Sequence, residues 1–218
     1  MVIQPIRSTT LQEAVYNEIF RAIVSGAIPP GNKLTLEDLA QKLNVSIMPV
    51  REAIRKLEAG NLISIKKNRR IVVKELSSEN LKEILNIRLI LEGLAVKRAS
   101  KIRSDASINQ LEKFIDKMEI CKDEEIYLRT NREFHRAIYN EANLPILLEM
   151  IDILWERISP YLHILLKQEK LENIRAIKNH KGMLQGMRKK SPNEVCKWLK
   201  KDLVDAAEII SRTFKQKD

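Results

Sequence analysis

The chain reads as mainly α: a small N-terminal helix-turn-helix unit closed by a β-hairpin, then an all-α antiparallel helical bundle. Three observations predict this. Residues 46–57, SIMPVREAIRKL, carry apolar side chains at helical spacing on one side and two arginines on the other. Turn signals before that segment and β-branched stretches after it supply partners for its apolar side. From Ser77 onward glycine is scarce, and apolar residues recur every three to four positions without strand alternation.

Taken in order, Leu11, Val15, Ile19, Ala22 and Ile23 form a helical apolar stripe that ends at Gly26, a residue suited to a left-handed cap. Pro29-Pro30-Gly31 then turns the chain. A helix of about two turns follows, with Leu36, Leu39, Ala40 and Leu43 inward, and stops at Asn44. Asn44 to Ser46 leaves room only for a tight turn, so the flanking helices must cross. Ser46 is placed to cap the next helix with its hydroxyl, and Pro49 falls in the first turn, where a missing N–H costs nothing. Val50, Ile54 and Leu57 face inward, leaving Arg51 and Arg55 outward and one turn apart. Two guanidiniums at that spacing suit phosphate oxygens or guanine edges, and the alternative is a solvated amphipathic helix. Leu62, Ile63 and Ile65, then Ile71, Val72 and Val73, flank Lys66-Lys67-Asn68-Arg69-Arg70. Strands around so basic a tip read as the wing of a winged helix-turn-helix, binding phosphate rather than serving solubility alone.

In the bundle, helices are expected near 78–101, 105–121, 123–142, 144–167, 169–189 and 192–215. Polar residues interrupt their apolar stripes. Asn131 and His135 lie with Leu128, Phe134 and Ile138; His180 lies with Leu171, Ile174, Ile177, Leu184 and Met187; Asp202 interrupts Val195, Trp198, Leu199, Ala206 and Ile209. A buried carboxylate needs a partner. Two imidazoles, a carboxylate and a carboxamide converging in a bundle suit a divalent metal of the Zn, Mn or Ni type. The alternative is a set of hydrogen-bonded core residues in which Asp202 pairs with His180 or a lysine. Arg88 sits on the stripe Leu81, Ile84, Leu85, Leu91 and Ala95, where it either pairs with Glu92 four residues on or receives the carboxylate of a ligand. His163, Tyr127 and Arg132 are further candidates to line a pocket.

Composition agrees with two domains, 1–75 for the helix-turn-helix unit and 76–218 for the bundle. At 218 residues and 44% hydrophobic content the chain can bury a core in each. Of a net charge of +10, residues 1–74 hold 12 Lys and Arg against 6 Asp and Glu, so positive charge is concentrated in the smaller part, as nucleic-acid binding requires. Cys121 and Cys196 lack metal-ligand spacing and read as free thiols of a reducing cytoplasm. No apolar run approaches the roughly 20 residues of a membrane span, and the first residues lack a signal-peptide core, so the expected location is cytoplasmic.

These motifs carry a resemblance. Gly26 to Gly31, Leu39-Ala40 to Val45-Ser46, and Pro49-Val50-Arg51-Glu52-Ala53-Ile54 are similar to the winged helix-turn-helix signature of GntR-family bacterial transcription regulators. Residues 75–215 resemble the all-helical FCD domain of the FadR-type subfamily, which binds effectors and dimerises. The resemblance implies that Ser46, Ile47, Met48, Arg51, Arg55, Lys67, Arg69 and Arg70 face DNA. It implies that Asn131, His135, His180 and Asp202 occupy the metal-ligand positions, and that Arg88, Asn131, His135 and His180 meet a small organic acid. There are departures. Ile47 stands where the family carries Arg, and Arg70 where it commonly has Gly at the wing tip. An operator unlike the family's usual one follows, with Ile47 and Met48 offering apolar contact to thymine methyls. Asn131 replaces an acid and Asp202 a histidine, which preserves the charge of the site.

The function expected is a homodimeric regulator that binds a double-stranded DNA operator, is controlled by an effector, and is not an enzyme. Two alternatives stand beside it: a metal-dependent enzyme in the bundle, and a DNA-binding dimer without effector.

Overall fold

Apolar residues one helical turn apart build the first helices, and their burial decides how those helices pack. The computed structural model describes residues 11–66, 70–168 and 176–215. It divides into two compact units, one ending at Glu75 and the other beginning at Leu76.

The first unit runs α1 (Leu11–Val24), β1 (Lys33–Leu34), α2 (Leu36–Leu43), α3 (Ile47–Ala59), β2 (Ile63–Ile65) and β3 (Ile71–Val73). Val15, Ile19 and Ile23 of α1 meet Val50, Ala53, Ile54 and Leu57 of α3, with Leu39 and Ala40 of α2 and Ile63, Ile71 and Val73 of the sheet completing one core. Leu11, expected on the inner stripe, is exposed at the first residue of α1. Asn44 ends α2 with φ 52°, and Gly26 (φ 70°) and Gly31 (φ 82°) take the left-handed turns between α1 and β1. Thr35 caps α2 by accepting from the Asp38 N–H at 3.1 Å. Ser46 does occupy the N-cap of α3 in extended conformation, but its hydroxyl makes no cap hydrogen bond.

The sheet has the order β1-β3-β2, all antiparallel. In the hairpin Ile63, Ser64 and Ile65 oppose Val73, Val72 and Ile71, and the Lys66 N–H reaches the Arg70 carbonyl at 2.9 Å. Strand β1 has no alternation to reveal it, since only Lys33 and Leu34 take part.

The second unit contains α4 (Ser78–Ile102), α5 (Asp105–Ile120), α6 (Glu124–Asn140), α7 (Pro145–Gln168), α8 (Ala176–Arg188) and α9 (Pro192–Lys215). Ser77, Ser104 and Asp123 cap α4, α5 and α6 with side-chain oxygens, and Asn80 completes a capping box with Ser77. Helix α8 is described from Ala176 onward; the first part of its expected span, with Leu171 and Ile174, lies outside the described residues. On α9 the buried line is Val195, Leu199, Leu203 and Ile210, whereas Ala206 and Ile209 are only half-buried. The stripe drifts because 3.6 residues per turn carry it around the helix.

Helices α8 and α9 approach closely through glycine. A Cβ on Gly182 would overlap the indole of Trp198, and one on Gly186 would stand 2.7 Å from the Val195 backbone nitrogen. Arg103, at the end of α4, donates from Nε to the Met187 carbonyl and from Nη2 to that of Arg188, both at 3.0 Å, and so ties down the C-terminus of α8.

Gly182→Ala is therefore expected to destabilise the second unit by about 1–3 kcal/mol through overpacking. Gly93→Ala, on α4 where a Cβ would meet nothing within 4 Å, is expected to be neutral or stabilising by up to about 1 kcal/mol. Urea midpoints of the two variants, moving in opposite directions, check this.

Candidate functional site

Two groups of residues carry chemistry, one in each unit. On α3 the inner side is set by Val50 and Leu57, which are fully buried, and the outer side by Ile47, Met48, Arg51 and Arg55, with Met48 61% exposed. Arg55 holds Glu52 at 3.1 Å on the surface, a pair worth about 1 kcal/mol at most and easily exchanged for another anion. Ser46 is exposed, and so is Arg70 beyond the hairpin turn. Lys67 and Arg69 lie outside the described residues. Met48 is thus a large apolar side chain left exposed beside outward arginines near the start of α3.

In the second unit, His135 of α6, His180 of α8 and Asp202 of α9 converge, each offering a ligand atom within 4.8 Å of the others. His135 Nε2 is 3.3 Å from Asp202 Oδ2 and 3.3 Å from His180 Nε2, and His180 Nε2 is 3.5 Å from Asp202 Oδ1. Donors about 2.0–2.1 Å from a tetrahedral cation stand about 3.3–3.4 Å apart, so the triangle has the dimensions of three ligands around one ion. Both imidazoles are essentially fully buried. Burial lowers the pKa of His180 to about 4, against the attraction of Asp202 and with the help of His135. Burial alone would raise the Asp202 carboxyl, but the attraction of its surroundings, His180 first and Arg88 among them, outweighs it and holds the group below its ordinary range. Neutral imidazoles and an ionised carboxylate are the forms that bind metal. Asn131 stands one turn before His135 on α6 and is half-buried.

A chain of hydrogen bonds runs outward from His135. Its Nδ1 lies 3.0 Å from the Tyr139 hydroxyl, which donates to Glu92 Oε2. Glu92 Oε1 receives Arg88 Nε at 2.5 Å. The Arg88–Glu92 pair forms, and it is buried, with the guanidinium 4.7 Å from the centre of the Trp155 ring. Burial, with Glu92 close by, pushes the Tyr139 phenol well above its ordinary range, so it remains a donor. Tyr139 and Trp155 escape the sequence reading, and Glu92 enters it only as a partner for Arg88. Spacing shows Tyr139 four residues after His135, but nothing in one dimension shows that Glu92 of α4 lies across from it.

Trp155 Nε1 and the Tyr127 hydroxyl are buried without a hydrogen-bond partner among the described residues. Burial first, then the Asp202 charge, raises the Tyr127 phenol, which places this hydroxyl in the field of the trio. Arg132 faces Asp152 at 3.5 Å, and His163 is half-buried.

The model for bacterial regulatory proteins of the gntR family matches residues 11–73, and that for the FCD domain matches residues 83–204. The chain is 37% identical over 161 residues to the HTH-type transcriptional regulator McbR of Escherichia coli (strain K12), covering 72% of each chain. It is 27% identical to the gluconate operon transcriptional repressor of Bacillus subtilis (strain 168), over 79% of this chain and 74% of that one. Its structure is similar to that of E. coli McbR/YncC, with a TM-score of 0.84, 30% identity, and coverage of 95% of this chain and 100% of the other. A GntR family member from Pseudomonas syringae pv. tomato str. DC3000 shares the fold at TM-score 0.61 and 23% identity, over 98% of this chain and 90% of that one. No described helix is long and apolar enough to cross a membrane.

The lowered His180 pKa has a measurable consequence. Unfolded chain takes up a proton at this residue from the ordinary 6.5 downward, whereas folded chain refuses it until about 4. In chelator-treated protein this contribution to stability is complete above pH 6.5 and is lost as pH falls toward 4. Urea midpoints across that interval should decline in the wild type and decline less in His180→Gln.

Proposed function

Because the chain belongs to the gntR family of bacterial regulatory proteins, as a DNA-binding transcription regulator with an FCD domain, we propose that an organic acid and a divalent metal in its bundle set its grip on an operator. The observation that carries this is the buried triangle of His135, His180 and Asp202, whose edges match those of a ligated ion. With two imidazole nitrogens and a carboxylate oxygen, the donor set suits Zn, Mn or Ni, and Asn131 is the proposed fourth donor. Such an ion would supply a Lewis-acid anchor for one carboxylate oxygen of the effector.

The surroundings favour an anionic, oxygen-rich ligand. Arg88, Trp155 Nε1 and the Tyr127 hydroxyl are donors, and the last two are buried and unsatisfied by protein among the described residues. A buried donor without a partner costs about 1–3 kcal/mol, a debt that ligand oxygens can offset. The named relatives are regulators and repressors, which supports reading the trio as a ligand site rather than a hydrolytic centre.

In the DNA-binding unit, Ser46, Ile47, Met48, Arg51, Arg55 and Arg70 form the proposed contact surface, and Lys67 and Arg69, which lie outside the described residues, are assigned to it by sequence. A homodimer would place two α3 helices about 34 Å apart, one duplex turn, to read a two-fold-related site. An effector that binds one arrangement of the bundle better than another must shift the population toward it, and so alter the spacing of the DNA-binding units.

Arg51→Ala is expected to weaken operator binding by about 1–3 kcal/mol, roughly 5- to 150-fold, and to lessen the salt dependence by about one released ion. Fluorescence anisotropy over a salt series measures both, and unchanged affinity in a folded variant refutes the contact surface. For the bundle, tag-free protein should gain thermal stability with Zn, Mn or Ni, and His135→Ala and His180→Ala should abolish that gain. Less than about a tenth of an equivalent of bound metal, without a thermal shift, would retire the metal reading.

A further inference from the structure

We infer that Tyr139, oriented by Glu92, holds the proton of His135 on Nδ1 and so presents a bare Nε2 to Asp202 and His180; its purpose rests on the metal reading above. The argument is a count of protons along one hydrogen-bonded chain. Glu92 receives Arg88 Nε on one carboxylate oxygen and the Tyr139 hydroxyl on the other. A carboxylate in an ion pair only accepts, so the single hydroxyl proton of Tyr139 points to Glu92. Toward His135 the phenol oxygen then has only lone pairs, and Nδ1, 3.0 Å away, must be the donor. In the neutral form that a metal-ligating imidazole takes, this is its one proton, which leaves Nε2 without any.

That bare nitrogen lies 3.3 Å from a carboxylate oxygen of Asp202 and 3.3 Å from His180 Nε2. Lone pair facing lone pair is repulsive in a buried site unless a positive centre lies between them. His180 can relieve part of this by turning a proton on Nε2 toward either neighbour. Its Nδ1 has no hydrogen-bond partner among the described residues, so nothing there opposes that choice. The contact between His135 Nε2 and Asp202 Oδ2 remains without a proton. Tyr139 and Glu92 are therefore positioning residues: they touch no ligand, but they select the tautomer in which His135 can donate an electron pair to a cation. Arg88 holds Glu92 in turn, with its guanidinium against Trp155.

The chain has three histidines, His135, His163 and His180, which makes the test tractable. Long-range proton–nitrogen correlation spectra of ¹⁵N-labelled, chelator-treated full-length protein report which ring nitrogen carries hydrogen, and His163→Gln and His180→Gln variants assign the signals. The expected result is His135 with a protonated Nδ1 and an unprotonated Nε2 at neutral pH. Tyr139→Phe, which keeps the ring and removes the acceptor, should move the proton to Nε2 and weaken Zn binding about 10- to 100-fold in a chelator competition. A wild-type His135 protonated on Nε2, alone or on both nitrogens, overturns the inference, and this measurement does not depend on the variant folding. An unchanged tautomer in folded Tyr139→Phe overturns it too. Failure of the metal reading looks different: the wild type takes up no Zn, Mn or Ni while His135 still shows the Nδ1–H form, which supports the proton placement and removes its purpose.

Discussion

The C-terminal unit depends on how closely α8 lies against α9. Gly182 faces the Trp198 ring and Gly186 faces Val195, and at both positions a methyl group would collide. His180 precedes Gly182 by two residues, and Asp202 follows Trp198 by one turn. The approach that excludes a Cβ therefore also draws an imidazole and a carboxylate to 3.5 Å. Larger side chains on α8 would separate the helices and open the trio. Small residues at a helix contact trade side-chain burial for backbone proximity, and here proximity is what the polar groups need.

Such a cluster is expensive to bury. Arg88, Glu92, His135 and His180 are all inside, with Asp202 nearly so, and each would be strongly unfavourable alone. The protein offsets this by chaining them: arginine to glutamate, glutamate to phenol, phenol to imidazole, and imidazole to the trio. Phe134, 4.7 Å from the His180 ring, and Trp155, 5.4 Å from the His135 ring, restrict the imidazoles between aromatic walls. Low dielectric strengthens every link of the chain and equally penalises a broken one, which gives the site one well-defined arrangement. A domain selected only for stability could fill the same space with apolar side chains at less cost.

The DNA-binding unit solves the opposite problem. Its small core uses the inner sides of α1, α2 and α3 and a three-stranded sheet, and Ile47, Met48, Arg51 and Arg55 of α3 lie outside that core. Exposed Ile47, Met48, Arg51 and Arg55 can thus differ among relatives without a loss of stability.

What the sequence by itself determined is whatever depends on spacing along one chain. Helical periodicity located α3 and its division into Val50, Ile54 and Leu57 inside and Arg51 and Arg55 outside, and it found the bundle helices to within a few residues wherever their ends fall among the described residues. It also picked out His135, His180 and Asp202, because a polar residue on an apolar stripe is conspicuous on its own helix. It misjudged helix ends, as at Leu11, and drifting stripes, as at Ala206 and Ile209, since burial there depends on the reach of a neighbouring helix. Strand β1 stayed hidden because its existence is a pairing with β3 rather than a pattern of its own. Only the tertiary structure decided that Arg88–Glu92 is an internal pair, that Tyr139 joins it to His135, and that three residues of three helices form a triangle of ligand dimensions. The physical reason is that hydrogen bonds and ion pairs act over about 3 Å in space, and the distance along the chain between Glu92 and Tyr139 contains no information about that approach.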